Sequence, residues 1–109
     1  VVVVNKYRVR YGYTDIMRGS PLGNPSTVRK RSRAQALEDF DAYLKAELKD
    51  KASPVRAEME RLLQRILDGE KVRLGCCCKP KDCHGDVIRA RLIKEAYRRI
   101  ARKERKNGR

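Results

Sequence analysis

The sequence has no tryptophan, a single phenylalanine (Phe40) and a single histidine (His84). A core of stacked large aromatics is excluded, so buried volume must come from Val, Leu, Ile, Ala and Tyr. No apolar run approaches the ~20 residues needed to span a bilayer, and no secretory leader is visible. Acidic residues are scarce, 14 against 28 Lys and Arg, and the formal net charge is +14. The four cysteines cannot serve as a disulfide framework. Cys76, Cys77 and Cys78 are adjacent and Cys83 follows closely, so they cannot staple distant segments as a secreted mini-protein requires. A reducing cytoplasm, that of the host cell if the chain is phage-encoded, is the expected setting, with no membrane contact.

What is present fits one domain, since 109 residues suffice for one hydrophobic core but not two. The charge is uneven. Residues 1–33 carry eight Lys or Arg against one acid, and residues 89–109 carry ten against two, around a mildly acidic middle of six against nine in 34–70. Basic surfaces concentrate polyanions, which makes nucleic acid the first candidate partner and a phosphorylated small molecule the second. A merely solubilising surface is the alternative.

Val1–Val4 is a β-branched run that suits a strand buried on both faces. Tyr7, Val9, Tyr11 and Tyr13 then alternate with Arg8 and Arg10, the pattern of a half-exposed strand or ribbon. It reads either as ordinary sheet packing or as an aromatic and basic surface for nucleic acid. Arg18-Gly19-Ser20-Pro21-Leu22-Gly23-Asn24-Pro25 dictates tight turns. Its glycines permit close backbone approach, and Arg18 and Ser20 bring donors for an oxyanion. A helix follows, with Ser32 and Gln35 in a capping-box pattern and Leu37, Phe40, Leu44 and Leu48 on one face. A second begins at Ser53-Pro54, buries Val55, Met59, Leu62, Leu63, Ile66 and Leu67, and ends at Asp68-Gly69. Lys71–Leu74 reads as a short strand. Ile88, Leu92, Ile93, Ala96, Tyr97 and Ile100 mark a third helix. The expected division is a compact α/β domain over residues 1–97, with a small sheet and about three helices, and a basic helix end or tail over 98–109.

The stretch from Leu74 to Ile88 joins strand to helix through all four cysteines and the histidine, at the kind of junction where α/β folds commonly bind ligands. Three chemistries suit it. Cys76, Cys78, Cys83 and His84 are the donor types zinc prefers, though adjacent Cys83 and His84 fit one ion poorly. Cys83 at a helix N-terminus, near Lys79 and Lys81, is expected to have a depressed pKa and to act as a nucleophile, with His84 as acid or base and Asp86 orienting it. Alternatively the cysteines only pack, and His84 and Asp86 cap the helix.

Two segments carry a resemblance. Arg18–Pro25 is similar to the RGS/T-P-W/L-GNP segment of a phage and bacterial family of unknown function numbered 4326. Leu74–Ile88 resembles that family's L-x-C-x-C-x-P-x-x-CHGD-V/I segment, and the start Val4-Asn5-Lys6 also fits. The departures are Cys77, where an aromatic is common, and Ser26, where an aromatic commonly follows GNP. The resemblance implies a small Rossmann-like α/β domain and suggests that both motifs serve one site, but it brings no established reaction. The expectation is a phage-type accessory protein binding a nucleotide or nucleic-acid phosphate, with Arg18, Gly19, Ser20, Asn24 and Lys79 around the anion. The alternatives are a thiol-dependent enzyme using Cys83, His84 and Asp86, and a zinc-stabilised module contacting a host protein.

Overall fold

In a computed structural model, residues 1–9, 11–17, 20–23, 32–76 and 83–107 are described. The elements in chain order are β1 (Val2–Asn5), β2 (Thr14–Asp15), α1 (Arg33–Lys49), α2 (Pro54–Leu67), β3 (Arg73–Cys76) and α3 (His84–Asn107). The three strands form one parallel sheet in the order β1-β3-β2. The last strand in sequence is thus the central one, with Val3 opposite Leu74 on one side and Thr14 opposite Leu74 on the other. Both α1 and α2 belong to the crossover from β2 to β3, while α3 follows β3 and packs on β1, β3 and both other helices. The described residues form a single small mixed α/β domain with three helices.

The helix boundaries follow from local chemistry. The Ser32 hydroxyl accepts from the Gln35 N–H, and the Ser53 hydroxyl from the Val55 N–H, with Pro54 in the first turn. The Gln35 side-chain amide donates to the Asp39 carboxylate one turn further on. Past Asp68, Gly69 takes a φ of +88° that side-chain-bearing residues avoid, and this ends α2. Phe40 and Leu44 of α1, Val55, Met59, Leu62 and Leu63 of α2, and Ile88, Leu92 and Ala96 of α3 are buried around Leu74 and Cys76 of β3.

Three strand expectations need correction. Val1–Val4 is not buried on both faces: β1 lies at the sheet's edge, where Val1 and Val3 pack on the core but Val2 is 51% exposed. Tyr7–Tyr13 does not form a strand among its described residues. The Asn5 side chain accepts from the Tyr7 N–H, and the Asn5 carbonyl accepts from Arg8 and Val9, so the chain turns directly after β1. Tyr7 and Tyr11 are consequently exposed. The strand read at Lys71–Leu74 lies two residues later, at Arg73–Cys76, which takes Cys76 into the sheet. The third helix runs from His84 to Asn107, with Tyr97 and Ile100 exposed rather than buried. No helix among the described residues is long and apolar enough to cross a membrane.

Candidate functional site at the carboxyl edge of the sheet

Parallel strands present all their carboxyl ends on one edge, where open α/β sheets bind ligands. Here that edge consists of Asn5 closing β1 and Lys6 after it, Ile16 and Met17 after β2, and Cys76 closing β3. The register extends beyond the strands, because the Lys6 N–H donates to the Cys76 carbonyl at 2.9 Å and the Ile16 N–H to the Gly75 carbonyl at 3.1 Å. Gly75 is buried on the sheet face opposite Leu74 and Cys76, and the Tyr13 ring lies directly over it. Lys6 pairs with Asp15 at 3.4 Å across the edge.

From Met17 the chain enters the first motif. The Met17 N–H donates to the Asp15 carboxylate at 2.8 Å, and the Met17 carbonyl accepts from both the Ser20 N–H (3.0 Å) and the Ser20 hydroxyl (2.7 Å). The Gly23 N–H then donates to the Ser20 carbonyl, closing a turn with Pro21 at its second position, and buried Leu22 anchors it. The expected tight turns are present. Ser20, however, spends both its donors on that turn. Arg18, Gly19, Asn24 and Lys79, expected around an anion, lie outside the described residues, as do Cys77 and Cys78.

The second motif resumes at Cys83. Its N–H donates to the Asp86 carboxylate at 3.0 Å, and its carbonyl accepts from the Asp86 N–H at 3.0 Å. Cys83 therefore stands in the N-cap position, with Asp86 completing a capping box. Its sulfur lies 3.1 Å from that of Cys76, and both are free thiols and buried. The Gly85 N–H points at the Cys83 sulfur and lowers its pKa, as a helix N-terminus should, yet burial and neighbouring Cys76 outweigh it and push the thiol up to about 12. The depressed pKa expected from sequence is thus reversed, and the thiol is a poor nucleophile in this arrangement. Gly85 is needed for close approach: a methyl there would stand 2.8 Å from Ile16 Cδ1 and 2.9 Å from Val3 Cγ1.

His84 turns the other way. Its Nε2 lies 2.6 Å from the Ile16 carbonyl, and its ring stands edge-on to Phe40 with centroids 5.0 Å apart. A carbonyl only accepts, so Nε2 carries the proton and Nδ1 is the ring's acceptor in the neutral form. Burial lowers the His84 pKa below its ordinary value, which keeps the ring neutral near pH 7. No group of three or more His, Cys, Asp or Glu is gathered to hold a metal among the described residues. Of the four ligands expected, Cys76 and Cys83 stand together, while the Nε2 of His84 is engaged by the carbonyl. The His84–Ile16 bond spans 68 positions of sequence and had no local signal. It joins the helix that ends the second motif to the strand that leads into the first.

The chain has recognisable relatives. An uncharacterized 12.4 kDa protein in the nrdA-td intergenic region of Enterobacteria phage T4 is 34% identical over 96 residues, which cover 88% of this chain and 80% of the phage protein. No solved structure matches the chain. Residues 4–94 match the family described as Domain of unknown function (DUF4326), and the chain belongs to that family.

Proposed function

We propose that the carboxyl edge of the sheet binds the phosphate of a nucleotide, or of nucleic acid, in a phage-type accessory protein with a Rossmann-like arrangement. The observation that carries this reading is the 2.6 Å bond from His84 to the Ile16 carbonyl. It brings the chain entering Arg18-Gly19 and the first turn of α3 to the same end of a parallel sheet. Backbone N–H groups, Arg18 and Lys79 are suited to an oxyanion there, whereas Ser20 builds the turn. Isothermal titration against inorganic phosphate and a panel of nucleoside mono-, di- and triphosphates tests it. Saturable binding of at least one of these, weakened tenfold or more by Arg18→Ala or Lys79→Ala, is expected. Absence of binding across the panel, or unchanged affinity in both variants, overturns the reading.

The Cys76–Cys83 contact favours a second reading, in which these two sulfurs and Cys78 hold a zinc ion that ties β3 to α3. Elemental analysis of protein purified without a metal-affinity column decides it. Near-stoichiometric zinc that is lost in Cys83→Ser supports this reading, and metal-free folded protein removes it.

A further inference from the structure

The last third of α3 is unlike the rest of the molecule. The helix buries Ile88, Leu92 and Ala96 at successive turns, and its last long tie is Arg99, which forks onto Glu60 of α2 at 2.6 and 3.1 Å. Beyond that, Ile100 is 44% exposed and residues 101–105 are all exposed, and Tyr97, just before the tie, is 71% exposed. An exposed tyrosine on a surface helix is unremarkable alone, but its surroundings are specific. Ala90, Lys94, Tyr97, Ala101 and Arg105 follow one another at steps of four, three, four and four, and all five are exposed. Such spacing lines one face of a helix, the face turned away from Leu92 and Ala96. Tyr97 thus stands between Lys94 and Ala101 in this row, with a cation, Lys94 or Arg105, on either side of it along the helix. Arg98 and Arg102 flank the row. Arg98 is bonded to Glu95 at 3.2 Å, whereas no described residue forms an ion pair with Lys94, Arg102 or Arg105.

The acids are not placed to neutralise this row. Within α3, Glu104 has Ile100 and Ala101 at one helical turn before it and Asn107 at one turn after it, so no cation of the helix lies at the spacing where side chains meet. Arg98 and Arg102, and Arg102 and Arg105, are by contrast like charges at that spacing. A self-repelling cationic helix with a flat aromatic at its centre is complementary to a chain of phosphates carrying planar bases.

We propose that this face of α3 is a binding surface for single-stranded nucleic acid, with Tyr97 as a stacking platform and Lys94, Arg98, Arg102 and Arg105 against the phosphates. The row spans about 22 Å of helix. Tyr97 lies about 20 Å along the helix from His84, so the surface is separate from the sheet edge and does not depend on nucleotide binding there.

Fluorescence anisotropy with a labelled oligothymidylate across 50–200 mM salt tests the proposal on the full chain. Four phosphates neutralised on a single strand give a log–log salt slope of about −3. In Lys94→Gln/Arg102→Gln/Arg105→Gln the slope should weaken by about 2. In Tyr97→Ala affinity should fall roughly fivefold or more while the slope stays unchanged, because stacking is lost but no charge is. All four positions are exposed, and matching circular dichroism spectra verify that the variants fold. Absence of binding at ~50 mM salt, an unchanged slope in the triple variant, full affinity in Tyr97→Ala, or tighter binding of a duplex of equal length each overturns it.

Discussion

The joint between the two motifs can be cut with one substitution, His84→Ala. Ile16 is wholly buried, so its carbonyl loses the 2.6 Å partner without gaining full access to water. An acceptor stranded in this way costs about 1–3 kcal/mol. The edge-on contact with Phe40, at 5.0 Å and 71°, adds about 0.5–1.5 kcal/mol. The total is roughly 2–4 kcal/mol, equivalent for a chain of this size to a fall in Tm of about 8–16 °C. Glutamine, which retains an N–H donor of similar reach, should lose less. The titration gives an independent readout. Burial holds the His84 pKa below its ordinary value, so the unfolded chain takes up the proton first as the pH falls. Stability must then decline as pH drops below about 6.5, the ordinary histidine value. Glu60, held below its ordinary value by Arg99, weakens the fold only in a separate, more acidic window, as pH falls through the carboxylate range. Urea unfolding at pH 7.0 and 5.5 measures both effects. A loss under 1 kcal/mol in His84→Ala, or the same decline between those pH values in His84→Gln as in the wild type, would refute the argument that this bond and its neutral ring hold the edge together.

Gly75→Ala would place a methyl group inside the Tyr13 ring, with another ring carbon at 2.6 Å, and should cost about 1–3 kcal/mol. Adding Tyr13→Ala should recover part of that loss in urea melts, and strict additivity of the two changes would contradict the stacking. The Cys83 thiol at about 12 should alkylate at pH 8 on the order of a thousandfold more slowly in the folded protein than in urea. Equal rates, located by peptide mapping, would show that it is not held in this buried pair.

The parts legible in sequence were those settled by neighbours in the chain. Ser32, Ser53-Pro54 and Asp68-Gly69 mark helix ends because capping is a matter of three or four residues. Alternation misleads at the aromatic run after β1, because it reports which side chains share a face, while the Asn5 side chain and carbonyl, which the pattern does not weigh, divert the chain first. Tyr97 and Ile100 have the spacing of core residues, yet spacing carries no information on where the neighbouring helix stops. The Cys83 thiol shows the same limit in energetic form. A helix N-terminus can be read from sequence, and the Gly85 N–H does act on the sulfur, but the burial that overrides it comes from β3 and the core.

The structural duties of the second motif bear on where its chemistry lies. Cys83 is the N-cap of α3, and its sulfur is packed on Cys76. Gly85 allows the helix to approach Ile16 and Val3 within methyl-contact distance. Asp86 closes the capping box, and His84 fastens α3 to β2. Every residue of Cys83-His84-Gly85-Asp86 is therefore occupied in building the junction, and Ser20 in the first motif is occupied likewise. A phosphate bound at this edge, as proposed above, would therefore need its donors from elsewhere, and Arg18 and Lys79, which lie outside the described residues, are the ones proposed. The thiols would contribute by fixing the edge itself. On that proposal, substituting Arg18 or Lys79 should weaken phosphate binding, whereas substituting His84, which fastens α3 to the chain after β2, should affect stability first.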